Sequence, residues 1–235
     1  MKAMKVGVTP THTCSYLPEQ YEQLIVLLDD ELKSAEGYEH LLHSGFRRSG
    51  DDVYRPHCPS CQACQSLRIL AAEFQASKQQ LRIVKKNQDL TWSINDRNRP
   101  EYYALYEHYI NERHADGTMY PASFHQYQSF LLSDWHSPYF LEFHHQKQLI
   151  AVAVTDVQPM SLSAMYTFFH PDYEKRSLGT LAILTQIELA QKMKRPYLYL
   201  GYQVDACRKM NYKANFFPHE RLVNKEWKKY DIPTA

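Results

Sequence analysis

Glycine is scarce in this chain, 7 of 235 residues, so no flexible glycine-rich linker separates its parts. Long apolar runs are missing as well. The longest, Leu149–Val154 and Leu24–Leu28, fall far short of the roughly 20 residues a membrane-spanning helix needs. The opening Met-Lys-Ala-Met-Lys-Val carries no apolar core of a secretory signal, so the expected location is cytoplasmic, with no membrane partner. Charge of one sign is lacking: the net charge is +1, which gives no overall field to gather nucleic acid. DNA is therefore not an expected partner, and any RNA contact must come from local patches. The 12 histidines are scattered and no Ser-His-Asp arrangement stands out.

Cysteines number only five: Cys14, Cys58, Cys61, Cys64 and Cys207. In a cytosolic chain of this size, close spacing of thiols points to metal binding or catalysis before a disulfide framework. Aromatics, by contrast, are plentiful at 13%, with 18 Tyr against 10 Phe. Tyrosine in such numbers suggests amphipathic surfaces and pockets.

Pattern reading divides the chain at the polar stretch from Asn95 to Pro100, giving units 1–95 and 96–235. In the first unit, apolar spacing predicts a helix over Pro18 to Leu32, and Ser34 starts a second one that Gly45 ends. Residues 46–55 read as a hairpin, Ser66–Leu70 as a strand, Ser77 to Gln88 as a basic helix and Leu90–Ile94 as a strand. In the second unit, helices are expected over Glu101 to His114, Ser123–Leu132 and Ser177 to Lys192. Strands are expected at Tyr139–His144, Gln148–Val157, Leu162–Phe169 and Tyr197–Leu200, with a short helix around Cys207–Asn215. This order predicts an α+β fold with a mixed, mainly antiparallel sheet flanked by helices and a small N-terminal Cys-containing domain. It resembles the GNAT-like acyltransferase fold, in which the loop entering the long helix offers backbone N–H groups to phosphates. Acetyltransferases read Gln/Arg-x-x-Gly-x-Gly/Ala there. This chain reads Arg176-Ser177-Leu178-Gly179-Thr180-Leu181. Leu181 replaces the last small residue, which disfavours a coenzyme A pyrophosphate and an ordinary acetyltransferase.

The run His57-Cys58-Pro59-Ser60-Cys61-Gln62-Ala63-Cys64 spaces three thiols at i, i+3, i+6. They can converge on zinc or an iron–sulfur cluster, with Cys14 or His57 as a fourth ligand, or stand as metal-free thiols. Lys78, Arg82, Lys85 and Lys86 share one helix face and can meet phosphates or simply be solvated. Arg47, Arg48, Arg55 and Arg68 add cations suited to carboxylate or phosphate. Asp156 ends an apolar strand and is a candidate base or amine anchor, or a loop cap. Asn211-Tyr212-Lys213, with Tyr202, falls where the fold closes over an acyl donor. A Lys or Tyr there can stabilise developing oxyanion charge, or can be an ordinary packed surface turn.

These stretches together resemble one family. Thr13-Cys14-Ser15-Tyr16-Leu17-Pro18, Gly45-Phe46-Arg47-Arg48-Ser49-Gly50, Arg55-Pro56-His57-Cys58, Arg113-His114-Ala115-Asp116-Gly117, Leu198-Tyr199-Leu200-Gly201-Tyr202 and Met210-Asn211-Tyr212-Lys213 are similar to aminoacyl-tRNA–protein transferases, in their short bacterial branch. The resemblance runs from about residue 9 to 227. It implies leucine transfer from Leu-tRNA to the α-amino group of proteins beginning with Asp or Glu, marking them for degradation by the N-degron pathway. No cofactor is then required for the chemistry, because an activated ester becomes an amide. Eukaryotic members transfer arginine, and their N-terminal cysteines are linked to iron–sulfur or haem chemistry.

On this resemblance Arg48, Arg68 and Lys213 are candidates to hold the acceptor's acidic side chain. Tyr166 and Phe168 would line the leucine pocket, and Ser177, Gly179 and Thr180 the donor loop. Lys78, Arg82, Lys85 and Lys86 would meet the tRNA. Asp156, Tyr202, Tyr212 and Lys213 are the candidate catalytic groups. Arginine as donor and a non-catalytic, metal-dependent RNA-binding module are the competing expectations.

Overall fold

Leu24-Ile25-Val26-Leu27 is where the structure departs most from the sequence expectation. The computed structural model describes residues 4–232 and has no helix over Pro18–Leu32. The chain forms β1 (Val6–Val8), β2 (His12–Thr13), β3 (Tyr21–Glu22) and β4 (Leu24–Leu27), then a 3-10 turn at Asp30–Leu32. Ile25 and Val26 are β-branched and favour extended backbone. Long-range pairing decides the matter. Val8 faces Ile25 from one side, and Arg55 of a later strand faces it from the other. A periodic stripe predicts a helix only when nothing else claims the backbone, and Leu28, counted in that stripe, is in fact exposed.

The rest of the first unit follows expectation. Ser34 caps α1 (Ala35–His43), its hydroxyl accepting from the Gly37 N–H at 3.1 Å. Gly45 follows the helix at φ 85°, a left-handed conformation that glycine adopts without penalty. β5 (Arg47–Ser49) and β6 (Asp52–Pro56) make the hairpin, and β7 (Gln65–Leu70) comes after the cysteine loop. A complete capping box of Ser77 and Gln80 starts α2 (Lys78–Lys86), and β8 (Leu90–Asn95) follows.

In the second unit come α3 (Pro100–Arg113), α4 (Phe124–Leu131), β9 (Tyr139–His145), β10 (Gln148–Val157) and β11 (Ser161–Phe169). A 3-10 turn over Pro171–Arg176 leads to α5 (Leu178–Lys192), then β12 (Tyr197–Gln203). The short helix expected around Cys207–Asn215 is a 3-10 turn at Asn211–Asn215. Two further strands, β13 (His219–Val223) and β14 (Glu226–Tyr230), had no clear sequence signal.

Eight strands form one sheet in the order β14-β13-β7-β12-β11-β10-β9-β8, antiparallel except for the β11–β12 pair that α5 bridges. A four-stranded sheet, β1-β4-β6-β5, carries α1. The architecture is α+β with a large, mainly antiparallel sheet. The division expected after residue 95 is not a division between sheets: β7 lies inside the large sheet and β8 forms its edge. The main core packs the tyrosine face of α3 (Tyr102, Tyr106, Tyr109) and the apolar face of α5 onto the large sheet. A second core under α1 (Tyr38, Leu41, Leu42, Phe46, Val53) includes Tyr199 of β12, so the two sheets share a side chain.

Candidate active site

β11 and β12 run parallel, but their register covers only Ser161–Ser163 against Tyr197–Tyr199. Beyond that both strands continue without pairing to each other. The cause is visible in β11. Thr155 of β10 faces Ala164 and Val154 faces Tyr166, so Met165 is an extra residue, and such a bulge bends its strand. β12 has its own irregularity between Tyr199 and Gly201. The two strands therefore splay where α5 begins.

Arg47 enters this opening. Its Nη1 donates to Ser163 Oγ at 2.9 Å and its Nη2 to the Ala164 carbonyl at 2.7 Å. On the other side lies Gly201 at φ 82°, where a Cβ would stand 3.4 Å from the Arg47 Cζ. Glycine is favoured there by the left-handed backbone, and its bare Cα leaves the Arg47 guanidinium packed against the strand at ordinary contact distance. Arg47 was noted in the sequence only as one more cation nearby. The usable signal was strand alternation: in β5, Arg47 and Arg48 must point to opposite faces and cannot share a task.

Arg48 points away from the opening. Its Nε and Nη2 donate to the two Asp156 carboxylate oxygens at 2.9 and 2.6 Å, and its Nη1 donates to the Leu131 carbonyl at 3.1 Å. His136 Nε2 stands 3.4 Å from Asp156 Oδ1. Both members of the pair are fully buried. Burial is the largest influence on Asp156 and opposes its ionisation, yet Arg48 and His136 together outweigh it and hold the carboxyl well below the usual range. A closed, bidentate pair is a poor base and offers no cation to a ligand. Arg68 is also committed. It donates to Glu220 at 2.6 Å and to Tyr199 Oη at 3.2 Å, with its guanidinium between the Tyr197 and Trp227 rings at 3.8 and 4.1 Å. The Arg48–Asp156 pair thus joins the two sheets, and Arg68 ties together strands of the large sheet, instead of facing a substrate.

Lys213 does reach the opening. Its Nζ donates to the Tyr202 carbonyl at 2.7 Å and lies 3.4 Å from Met210 Sδ and 5.2 Å above the Tyr212 ring. Burial, and next the charge of Arg47, bring its ammonium down to about 7. The Tyr202 hydroxyl is occupied, donating to the Gly45 carbonyl at 2.9 Å, and so ties β12 to the first unit. Tyr212 is well exposed. Tyr166 is partly exposed beside Phe130, Tyr106 and Tyr109, whereas Phe168 is wholly buried in the core and lines nothing open.

At the start of α5, Ser177 is left-handed (φ 57°) and its side chain makes no cap, which leaves the first N–H groups of the helix uncapped. A Cβ on Gly179 would meet nothing within 4 Å, so this end is open, with Thr180 half-buried one residue further on. The basic face of α2 is exposed, and α2 abuts the same end: Asn87 Nδ2 donates to the Arg176 carbonyl at 3.0 Å. Lys86 also donates to the Lys175 carbonyl, so the C-terminal end of the helix bearing Lys78, Arg82 and Lys85 is joined to the segment that enters α5.

A cleft of about 1480 Å³ lies on the first unit's side, lined by Cys14, Cys58, Cys61, Cys64, Tyr16, Glu22, Tyr54 and Tyr202 among others. All five cysteines are free and half-buried. Burial, and then its neighbours Cys58, Cys14 and Cys61, push the Cys64 thiol up to about 12, against thiolate formation. Among the described residues, no three His, Cys, Asp or Glu side chains stand where they could hold a metal ion.

The profile described as "Arginine-tRNA-protein transferase, N terminus" matches residues 12–82, and that described as "Arginine-tRNA-protein transferase, C terminus" matches residues 101–223. Proteins named aspartate/glutamate leucyltransferase are similar along nearly the whole chain. That of Aeromonas salmonicida is 58% identical, covering 97% of this chain and 96% of its own. That of Pseudoalteromonas atlantica is 49% identical (95% and 96%), and that of Vibrio cholerae 44% (97% and 98%). With both halves matched and the relatives aligned end to end, the chain belongs to the arginine-tRNA-protein transferase family, in the branch of the aspartate/glutamate leucyltransferases.

Proposed function

We propose that this chain transfers leucine from Leu-tRNA to the α-amino group of proteins that begin with Asp or Glu. The observation that carries the reading is end-to-end identity, 58% over 228 residues, with relatives of that name. The acceptor nitrogen attacks the ester carbonyl, a C–N bond forms, and the C–O bond to the terminal ribose breaks. The proton lost by the amine balances the one taken up by the leaving ribose oxygen. An α-amino group of pKa about 7.7–8.0 is partly neutral near pH 7.5, so orientation and charge stabilisation carry more of the acceleration than a strong base.

The splayed β11–β12 pair around α5 supports a GNAT-like course for the donor. The tRNA backbone follows the basic face of α2, the terminal phosphates meet the uncapped start of α5 at Ser177, Gly179 and Thr180, and the aminoacyl ester enters the opening. Tyr166, partly exposed beside the equally half-buried Phe130 and backed by Tyr106 and Tyr109 of the core, gives leucine an apolar wall. The acceptor's N-terminus reaches the same opening from the cleft at Tyr54 and Tyr202. The reaction needs no cofactor, it belongs in the cytosol where charged tRNA is found, and its product is marked for N-degron degradation.

Labelled leucine on purified tRNA, offered with peptides that start with Asp or with Ala, tests this reading. Label on the Asp peptide alone is the expected result, and label on neither peptide overturns it.

A further inference from the structure

Four Lys or Arg side chains are buried among the described residues: Arg47, Arg48, Arg68 and Lys213. Arg48 is neutralised by Asp156 and Arg68 by Glu220. Arg47 and Lys213 have no carboxylate partner; every polar contact they make is to neutral atoms, Ser163 Oγ, the Ala164 and Tyr202 carbonyls and Met210 Sδ. They are also close enough for Arg47 to oppose the charge on Lys213. Buried cations are ordinarily paired, because burial strips their hydration and like charges repel. Two side by side with no counter-charge describe a site completed by an anion from outside.

Their unused donors fit a carboxylate. A guanidinium has five N–H donors, and Arg47 spends two on β11. An ammonium has three, and Lys213 spends one on Tyr202 and a weak one on Met210. The fork of Arg47 is held by the strand, while Lys213 presents a compact charge on a flexible stem.

Position selects which anion. Phosphates of the donor belong to the α5 end and the α2 face, where positive charge is exposed. Lys213 bonds the carbonyl of Tyr202, a residue of the cleft wall, and Arg47 packs against Gly201 just before it, at the mouth of the strand opening. An acceptor beginning with Asp or Glu carries its side-chain carboxylate one or two methylenes from the carbon that bears the attacking amine. Once that amine is at the ester, the carboxylate can only be a few bonds away.

We propose that Arg47 and Lys213 together form the subsite that reads the carboxylate of the acceptor's first side chain, and so select Asp and Glu. This inference rests on the leucyl-transfer reading above.

The test compares wild type, Arg47→Met, Lys213→Met and the conservative Lys213→Arg on peptides beginning with Asp or with uncharged, isosteric Asn. Leucine transfer is measured with donor saturating, and binding of each peptide is measured by fluorescence without donor. Each Met variant should lower the Asp-over-Asn preference by at least about tenfold, mainly through the acceptor KM, with Lys213→Arg retaining most of it. A purely structural role would lower both peptides equally, and an unchanged preference in Lys213→Met overturns the proposal even if Arg47→Met does not fold. If wild type transfers leucine to neither peptide, the activity reading fails by itself. The binding arm then decides: Asp preference lost in the variants supports the subsite, and preference retained overturns it.

Discussion

The Arg47 guanidinium donates to the Ala164 carbonyl at 2.7 Å, so a residue of the first sheet bonds the strand of the second sheet exactly where that strand leaves its partner. Beside it, Arg48 closes on Asp156 with both side chains out of solvent. One dipeptide thus serves two ends, a guanidinium with unspent donors on one face of β5 and a closed clasp on the other.

The clasp should govern stability. Asp156→Asn leaves Arg48 buried without its counter-charge and should lower unfolding stability by about 3–5 kcal/mol in urea titration. Because folding depresses the Asp156 pKa, the pair's contribution is complete above the unfolded value near 4 and is lost as pH falls through the lower folded value. Wild type should therefore keep its advantage over Asp156→Asn at pH 5, and an advantage gone by pH 5 would contradict the account.

Gly201→Ala places a methyl 3.4 Å from Arg47 Cζ at a left-handed backbone position. It should cost about 1–3 kcal/mol of stability, because the strained backbone shifts the strand on which Arg47 packs. Transfer measured well below the melting temperature should fall along with it, whereas full activity would show that Arg47 needs no fixed backbone beside it.

Lys213 gives stability a second pH signature. Folding lowers its pKa from 10.5 to about 7, under burial and Arg47, with Cys207 and Cys64 acting weakly the other way. Between those values the unfolded chain binds more protons, so wild type gains stability as pH rises from 7 toward 10, at up to about 1.4 kcal/mol per pH unit. Lys213→Met should be the more stable protein at pH 6, and its lead should shrink above pH 7. Parallel stability curves for the two proteins would refute a buried, unpaired ammonium.

Reversing charge on α2, with Arg82→Glu and Lys85→Glu, should raise the KM for Leu-tRNA and leave the peptide KM unchanged. The slope of log affinity against log salt should fall by about 1 per phosphate contact removed. Unaltered tRNA binding would assign that face to solvent.

The sequence signalled the elements whose determinants are local. Ser34, Gly45 and Ser77 mark helix ends by hydrogen bonds within a turn, and each lies where it was expected. Leu24–Leu27 misled because its strand is imposed by Val8 and Arg55, remote in the chain. The same distinction governs the site. Lys213 was picked out by its motif, but whether an arginine is free or spent depends on partners more than a hundred residues away, as for Arg48 with Asp156 and Arg68 with Glu220. Tyr166 and Phe168 lie two apart on one face of β11 and read alike in the sequence; both pack on Tyr106 of α3, and only the depth of burial, Phe168 wholly covered and Tyr166 not, distinguishes them.

Donor competition tests the central claim most directly. Leu-tRNA and Arg-tRNA carrying distinguishable labels are mixed with wild-type protein and a peptide beginning with Asp. The account predicts leucine label on the peptide, none on an Ala-start control, and little arginine label on either. Arginine transferred in preference to leucine, or neither label transferred, would contradict it.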